Sequence, residues 1–145
     1  MSREPAVLDT DTLSELSRGN ARVTERALAY MAEFGRLTIT AVTVFERLRG
    51  YRRAIRDGKP FERQMQAFEA LVANCVVLPF DREAARVAAE IWSATARRHR
   101  QHLGDILIAS IAVSRQLPLV TRNRRNFERF SGLELRLLDW SSASR

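Results

Sequence analysis

The sequence predicts an α/β domain built on a mainly parallel sheet. Short apolar runs of strand length recur along the chain, and amphipathic helical patterns separate them. No linker, repeat or low-complexity block divides the 145 residues, a length suited to one domain. The domain is expected over residues 1–140, with Ser141-Ser142-Ala143-Ser144-Arg145 as a loose tail.

The strand candidates are Ala6-Val7-Leu8, Leu37-Thr38-Ile39-Thr40, Cys75-Val76-Val77-Leu78, Leu119-Val120-Thr121 and a weaker one over residues 134–138. Strands covered by helices on both faces read as continuous apolar runs rather than as alternation. Between them, Val23, Ala27, Tyr30, Met31 and Phe34 form one helical stripe, and Phe45, Leu48, Tyr51 and Ile55 a second. Phe61, Met65, Phe68 and Val72 form a third, opened by Pro60, and Ala84, Ala88, Ile91, Trp92 and Thr95 a fourth. Residues 105–113 are apolar almost all round, which predicts a buried helix.

Composition removes several classes. No apolar stretch approaches the ~20 residues that span a bilayer. The N-terminal segment carries Glu4 and Asp9 and has no signal-like apolar core. The single cysteine, Cys75, lies in an apolar run and reads as a core thiol. With only His99 and His102 beside it, too few ligands remain for a structural zinc site. A cytoplasmic protein is expected. Twenty-four basic residues against 17 acidic ones give a net charge of +7, and every basic residue except Lys59 is arginine. The planar guanidinium suits phosphate, so a polyanionic partner is expected.

Ligands of parallel sheets sit beyond the carboxyl ends of the strands. Asp9 directly follows the first apolar run; it reads as a site carboxylate or as a turn residue, with Thr10, Asp11 or Thr12 as alternative caps. Glu46 lies early in the helix after the second run, about 100° round the axis from Phe45. It is either a site acid or a solvated partner of Arg49. Asp105 opens the apolar helix as an N-cap or as a rigidly held site acid. Asn123 and Asn126 follow the fourth run. Asp81 reads as a helix cap, Asp57 as a turn residue before Gly58, and Asp139 lies near the tail. Three convergent carboxylates repel one another. A hard divalent cation, Mg²⁺ or Mn²⁺, removes that conflict and can activate water for attack on a phosphodiester.

Four blocks, in order and at fitting separations, resemble the PIN-domain ribonucleases and among them the VapC-type toxins of toxin–antitoxin pairs. They are Leu8-Asp9-Thr10-Asp11-Thr12-Leu13-Ser14-Glu15-Leu16, Ile39-Thr40-Ala41-Val42-Thr43-Val44-Phe45-Glu46-Arg47-Leu48-Arg49-Gly50, Gly104-Asp105-Ile106-Leu107-Ile108-Ala109, and Thr121-Arg122-Asn123-Arg124-Arg125-Asn126-Phe127. Leu133 and Trp140 match the family's C-terminal apolar anchors. The resemblance implies a three-layer α/β/α domain and metal-dependent endonucleolytic cleavage of RNA. It also implies a homodimer and inhibition by a cognate antitoxin protein. Carried over, Asp9, Glu46 and Asp105 are the catalytic and metal-binding acids, with Asp11 and Asn123 as further oxygen donors. Many members carry an acid at the position of Asn123 or of Asn126, and this chain has an amide at both. That departure leaves open a catalytically degenerate module that binds RNA or a partner.

Arg98, Arg122, Arg124 and Arg125 adjoin the predicted acidic edge and are the expected RNA contacts. Arg47, Arg49, Arg52, Arg53 and Arg56 crowd one helix, where RNA, a second copy and an antitoxin compete as partners. The remaining enzyme alternative is a haloacid-dehalogenase-like phosphatase, whose opening the Asp9-Thr10-Asp11 segment is similar to. Its later Gly-Asp should follow an apolar strand, whereas Gly104-Asp105 follows Arg98-His99-Arg100-Gln101-His102, and Lys59 lies in a turn.

Overall fold

A computed structural model describes residues 4–130 and 134–143 of the chain. The element order is β1 (Val7–Leu8), α1 (Thr10–Ser17), α2 (Ala21–Phe34), β2 (Thr38–Thr40), α3 (Ala41–Arg56), α4 (Glu62–Ala73) and β3 (Val76–Leu78). It continues with α5 (Arg82–Ala94), a 3-10 turn (Arg97–His99), α6 (Leu103–Ser114), β4 (Leu119–Val120), α7 (Arg124–Glu128) and β5 (Leu137–Leu138). All five expected strands are present. β1 pairs in parallel with β4, β4 with β5, and β2 with β3. β2 lies beside β1, so the layer runs β3-β2-β1-β4-β5.

Successive residues of a strand point to opposite faces, and the two cores follow that alternation. Val7 and Leu119 belong to a core with Ala84, Ala88 and Ile91 of α5, Ile108 and Ile111 of α6, and Phe127 of α7. Leu8 and Val120 belong to a second core with Leu13 of α1, Val23, Ala27 and Tyr30 of α2, and Phe68 of α4. Helices therefore cover both faces, giving the three-layer α/β/α arrangement. α6 is buried along most of its length, as its nearly uniform apolar sequence predicted. Trp140 anchors the C-terminal segment against Tyr30, with ring centroids 5.7 Å apart. The Tyr30 hydroxyl in turn donates to the Ala6 carbonyl at 3.3 Å and accepts from the Ala6 N–H at 3.1 Å.

Several expectations need correction. Phe45 does not join the apolar stripe of α3; it is 60% exposed. The core face of that helix is formed by Val44, Leu48 and Tyr51, and Phe45 lies off it. Trp92 is also largely exposed, and its ring is covered by the Arg100 guanidinium 4.0 Å from the centroid. Pro60 lies outside α4, whose N-cap is Phe61. β3 is an edge strand, so Val76 and Val77 are exposed and only Leu78 is buried. Cys75 is buried, as expected of a core thiol. Asp81 caps α5 by accepting from the Ala84 N–H at 3.0 Å. The tail segment opens with a hydrogen-bonded turn, in which the Ser141 N–H and hydroxyl both donate to Asp139 Oδ1. Leu133, Ser144 and Arg145 lie outside the described residues.

Phe127 seats α7 on the sheet. It is buried and meets Phe130 edge-on, with centroids 6.0 Å apart. Phe127→Ala is expected to cost about 3–5 kcal/mol of stability. Urea unfolding should register this as a lower midpoint at unchanged slope.

Candidate active site

The carboxyl edge of the sheet assembles the site. The Asp9 N–H donates to the Val120 carbonyl at 3.0 Å, which carries the β1–β4 ladder one step beyond the strand. Asp9 then starts α1: its Oδ1 accepts from the Thr12 N–H at 2.7 Å. The Thr12 hydroxyl donates to the Val120 carbonyl at 3.1 Å and locks this corner. Asp9 is thus the cap of α1, and its buried carboxylate stands at the carboxyl edge of the sheet. Its side chain is buried among neutral groups. Burial pushes the carboxyl up to about 6, opposed by hydrogen bonds from Thr121 and Thr12, and the nearby Asp11 charge adds to the rise.

Glu46 does not pair with Arg49. The Thr10 hydroxyl donates to its Oε1 at 2.7 Å, and Thr10 lies 3.0 Å from the hydroxyl of the fully buried Thr43. Thr43 is fixed by its own N–H, which donates to the capping Thr40 Oγ1 at 3.1 Å. The other carboxylate oxygen of Glu46 lies against Gly104, where a Cβ would overlap it. A side chain at this position would push the Glu46 carboxylate away, so the glycine serves close approach rather than backbone conformation. This contact brings α3 onto the first turn of α6.

Asp105 is the third residue of α6, not its cap; His102 holds the N-cap position without a side-chain bond. The Asn126 amide donates to Asp105 Oδ2 at 3.3 Å. Burial raises the Asp105 pKa and the Asn126 bond opposes it; the charges of Glu46 and Asp11 raise it further, while His102 lowers it. Asp105 therefore senses both Glu46 and Asp11 across the edge. Of the two amides in the fourth block, Asn126 reaches the acids. Asn123 is exposed and begins α7 through its backbone, its N–H donating to Thr121 Oγ1 at 2.9 Å.

Asp11 is tied up differently. Arg122 Nε donates to its Oδ2 at 2.7 Å, and Arg122 Nη2 lies 3.1 Å from Glu15. Asp9, Glu46 and Asp105 have no such cation among the described residues. Nor do three Asp, Glu, His or Cys side chains stand there as a preassembled metal cage. The donor set nevertheless fits Mg²⁺ or Mn²⁺. Its donors are hard oxygens with uncompensated charge, and Mg²⁺ is commonly held by one or two carboxylates with waters and substrate phosphate.

The arginines divide in the same way. Arg122 braces Asp11 and Glu15, while Arg124 donates to the Leu137 carbonyl at 3.2 Å and lies 3.7 Å from Glu128. Arg100 staples the end of α5 by donating to the carbonyls of Trp92 and Thr95. Arg98 and Arg125 are exposed and make no ion pair with a described residue. Sequence reasoning named Thr10 as a cap and Thr43, Thr121 and Gly104 within the four blocks; in the structure Thr10, Thr121 and Gly104 meet the acids and Thr43 braces Thr10. The available signal was a threonine at or just beyond the ends of β1, β2 and β4, and a glycine directly before an acid in an apolar helix.

The burial of Asp9 has a consequence for pH. Its folded value, about 6, exceeds the ordinary 3.8. Its contribution to stability is therefore full below 3.8 and is lost as pH rises through about 6. In metal-free protein, the stability of the wild type relative to Asp9→Asn should fall by up to about 3 kcal/mol between about pH 4 and 7. Urea titrations across that range check it; a constant difference would contradict the assignment.

The chain matches the PIN domain family over residues 6–133. It is 38% identical over 109 residues to the tRNA(fMet)-specific endonuclease VapC of Shigella flexneri, covering 74% of this chain and 77% of that protein. To the protein of the same name from Salmonella typhimurium strain LT2 it is 30% identical over 137 residues, covering 92% and 96%. Among solved structures it resembles DNA-bound VapBC from Salmonella typhimurium, with a TM-score of 0.74, 27% identity, and coverage of 94% of this chain and 98% of that one. With its parallel sheet and the acids at its carboxyl edge, the chain belongs to the PIN domain family.

Proposed function

We propose that this chain is a metal-dependent endoribonuclease and the toxin of a type II toxin–antitoxin pair. One observation carries the reading: Asp9, Glu46 and Asp105 are held at one sheet edge by neutral donors, and among the described residues no arginine or lysine forms an ion pair with any of them. The two curated relatives, named as VapC endonucleases, support the same activity. The membership of a family of nucleases sets aside the phosphatase alternative.

In this reading Asp9, Asp105 and Glu46 hold Mg²⁺ or Mn²⁺, with Asn126 orienting Asp105. The bound ion supplies Lewis acidity at the scissile phosphate and acidifies water. The chain's own residues do the rest. Thr10 and Gly104 fix the Glu46 carboxylate so that it can take a proton from the attacking water. Arg98 and Arg125 bind flanking phosphates, and Arg122 and Arg124 extend that contact if their acidic partners release them. The relatives' names make tRNA(fMet) the first substrate to test. The solved VapBC complex supports a cognate antitoxin as partner. A homodimer working in the cytoplasm completes the proposal; among the described residues, no helix is long and apolar enough to cross a membrane.

The degenerate-module alternative rested on the two amides. Asn126 keeps a role beside Asp105 as a donor, so the amide does not by itself empty the site. The test uses labelled tRNA(fMet) and a mixed RNA pool, with Mg²⁺ or Mn²⁺ and with EDTA, beside Asp105→Asn prepared identically. Cleavage should require the ion and fall at least about a hundredfold in the variant. Equal cleavage by the variant would refute the proposed site; RNA binding without cleavage by the wild type would favour the degenerate module.

A further inference from the structure

The residue before Glu46 has no place in the core. Phe45 is 60% exposed, more than Phe80 or Trp92 at 40% and 44%. The Arg49 guanidinium lies over its ring, 5.2 Å from the centroid. Phe45, Arg49, Arg52 and Arg56 are spaced i, i+4, i+7 and i+11 along α3. That spacing sets them on one face of the helix, over a length of about 16 Å. Arg53 flanks the same face. All five side chains are exposed, and the four arginines make no ion pair with a described residue. Glu46 is the only acid on α3, and it is turned onto Thr10 and Gly104.

We propose that this face is an RNA track, in which Phe45 stacks on a base of the strand entering the acidic site and Arg49, Arg52 and Arg56 take the neighbouring phosphates. The proposal rests on the endoribonuclease reading and specifies where its substrate runs. Charge complementarity selects the occupant. Four unopposed guanidiniums without an acid match a phosphate backbone, whereas a two-fold copy of the same face would set like charges together. An exposed aromatic ring with a guanidinium beside it is suited to unstacked bases of single-stranded RNA, because every base presents a π-face. The track begins in the N-terminal part of α3, which also carries Glu46, so a strand running along it is led toward the end of the helix where that acid stands.

The test uses Asp105→Asn protein as a binding form and a short single-stranded RNA with 2-aminopurine at each position in turn. Binding should quench the fluorophore at one or two positions. Adding Phe45→Ala should weaken binding about tenfold and remove that quench. Phe45→Trp should keep both. Arg52→Gln and Arg56→Gln should each lower the slope of log affinity against log salt by about 0.7 while sparing the quench. Unchanged affinity and quench in Phe45→Ala overturn the proposal. So does a variant that binds RNA normally but changes the molecular mass in light scattering, which would assign the face to a second copy. The two readings fail separately: wild-type protein that binds and quenches without cutting keeps the track and loses the nuclease, while cleavage indifferent to Phe45→Ala keeps the nuclease and loses the track.

Discussion

The organising constraint in this molecule is the gathering of three carboxylates at the carboxyl edge of the sheet with, among the described residues, no arginine or lysine paired to any of them. Asp9 is buried and its carboxyl is pushed up to about 6. Asp105 is raised in the same direction, partly by Glu46. Elsewhere the fold pairs its acids freely with arginine: Asp11 and Glu15 with Arg122, Glu15 with Arg18, Glu4 with Arg136. In a chain with net charge +7, leaving three acids to threonine, asparagine and backbone donors is a feature of the site rather than a shortage of cations. Neutral donors orient a carboxylate while leaving its charge available to an ion.

The scaffold follows from that constraint. Very short strands suffice because three of them need only deliver a terminal residue to the same edge: Asp9 after β1, Thr40 at the end of β2, Thr121 after β4. The apolar α6 is buried so that Asp105, in its first turn, is held by the core beneath it. Gly104 then admits Glu46 from α3 at contact distance. Each device costs stability, whether through a buried acid or through a glycine inside a helix, and the two apolar cores on either side of the sheet offset it.

Much of this was legible in the sequence because it depends on local pattern. Five apolar runs gave five strands, and the carboxyl-edge rule pointed to Asp9, while Glu46 and Asp105 were singled out by their places at the start of helices and by the family resemblance. What stayed illegible depends on contacts between distant residues. Nothing local says that Thr10 rather than Arg49 partners Glu46, or that Arg122 is held by Asp11 and Glu15. Asn123 and Asn126 look equivalent in the sequence, and only the packing of α7 against α6 gives Asn126 to Asp105. Phe45 misled because an aromatic residue at helical spacing reads as core, while its true neighbours on the helix are arginines. Trp92 misled for a related reason, since Arg100 covers a ring that the core does not.

The most direct measurement is thermal unfolding of wild type, Asp9→Asn and Asp105→Asn with and without Mn²⁺ or Mg²⁺ at neutral pH. If the uncompensated acids form an ion site, the metal should raise the wild-type Tm with a dependence on its concentration, because an ion that binds only the folded state stabilises it by mass action. Both variants should lose most of that rise, while their metal-free Tm should equal or exceed that of the wild type for Asp9→Asn, where a buried charge is removed. A wild-type Tm indifferent to either ion, or a rise retained in both variants, would contradict the assignment of these carboxylates to a metal.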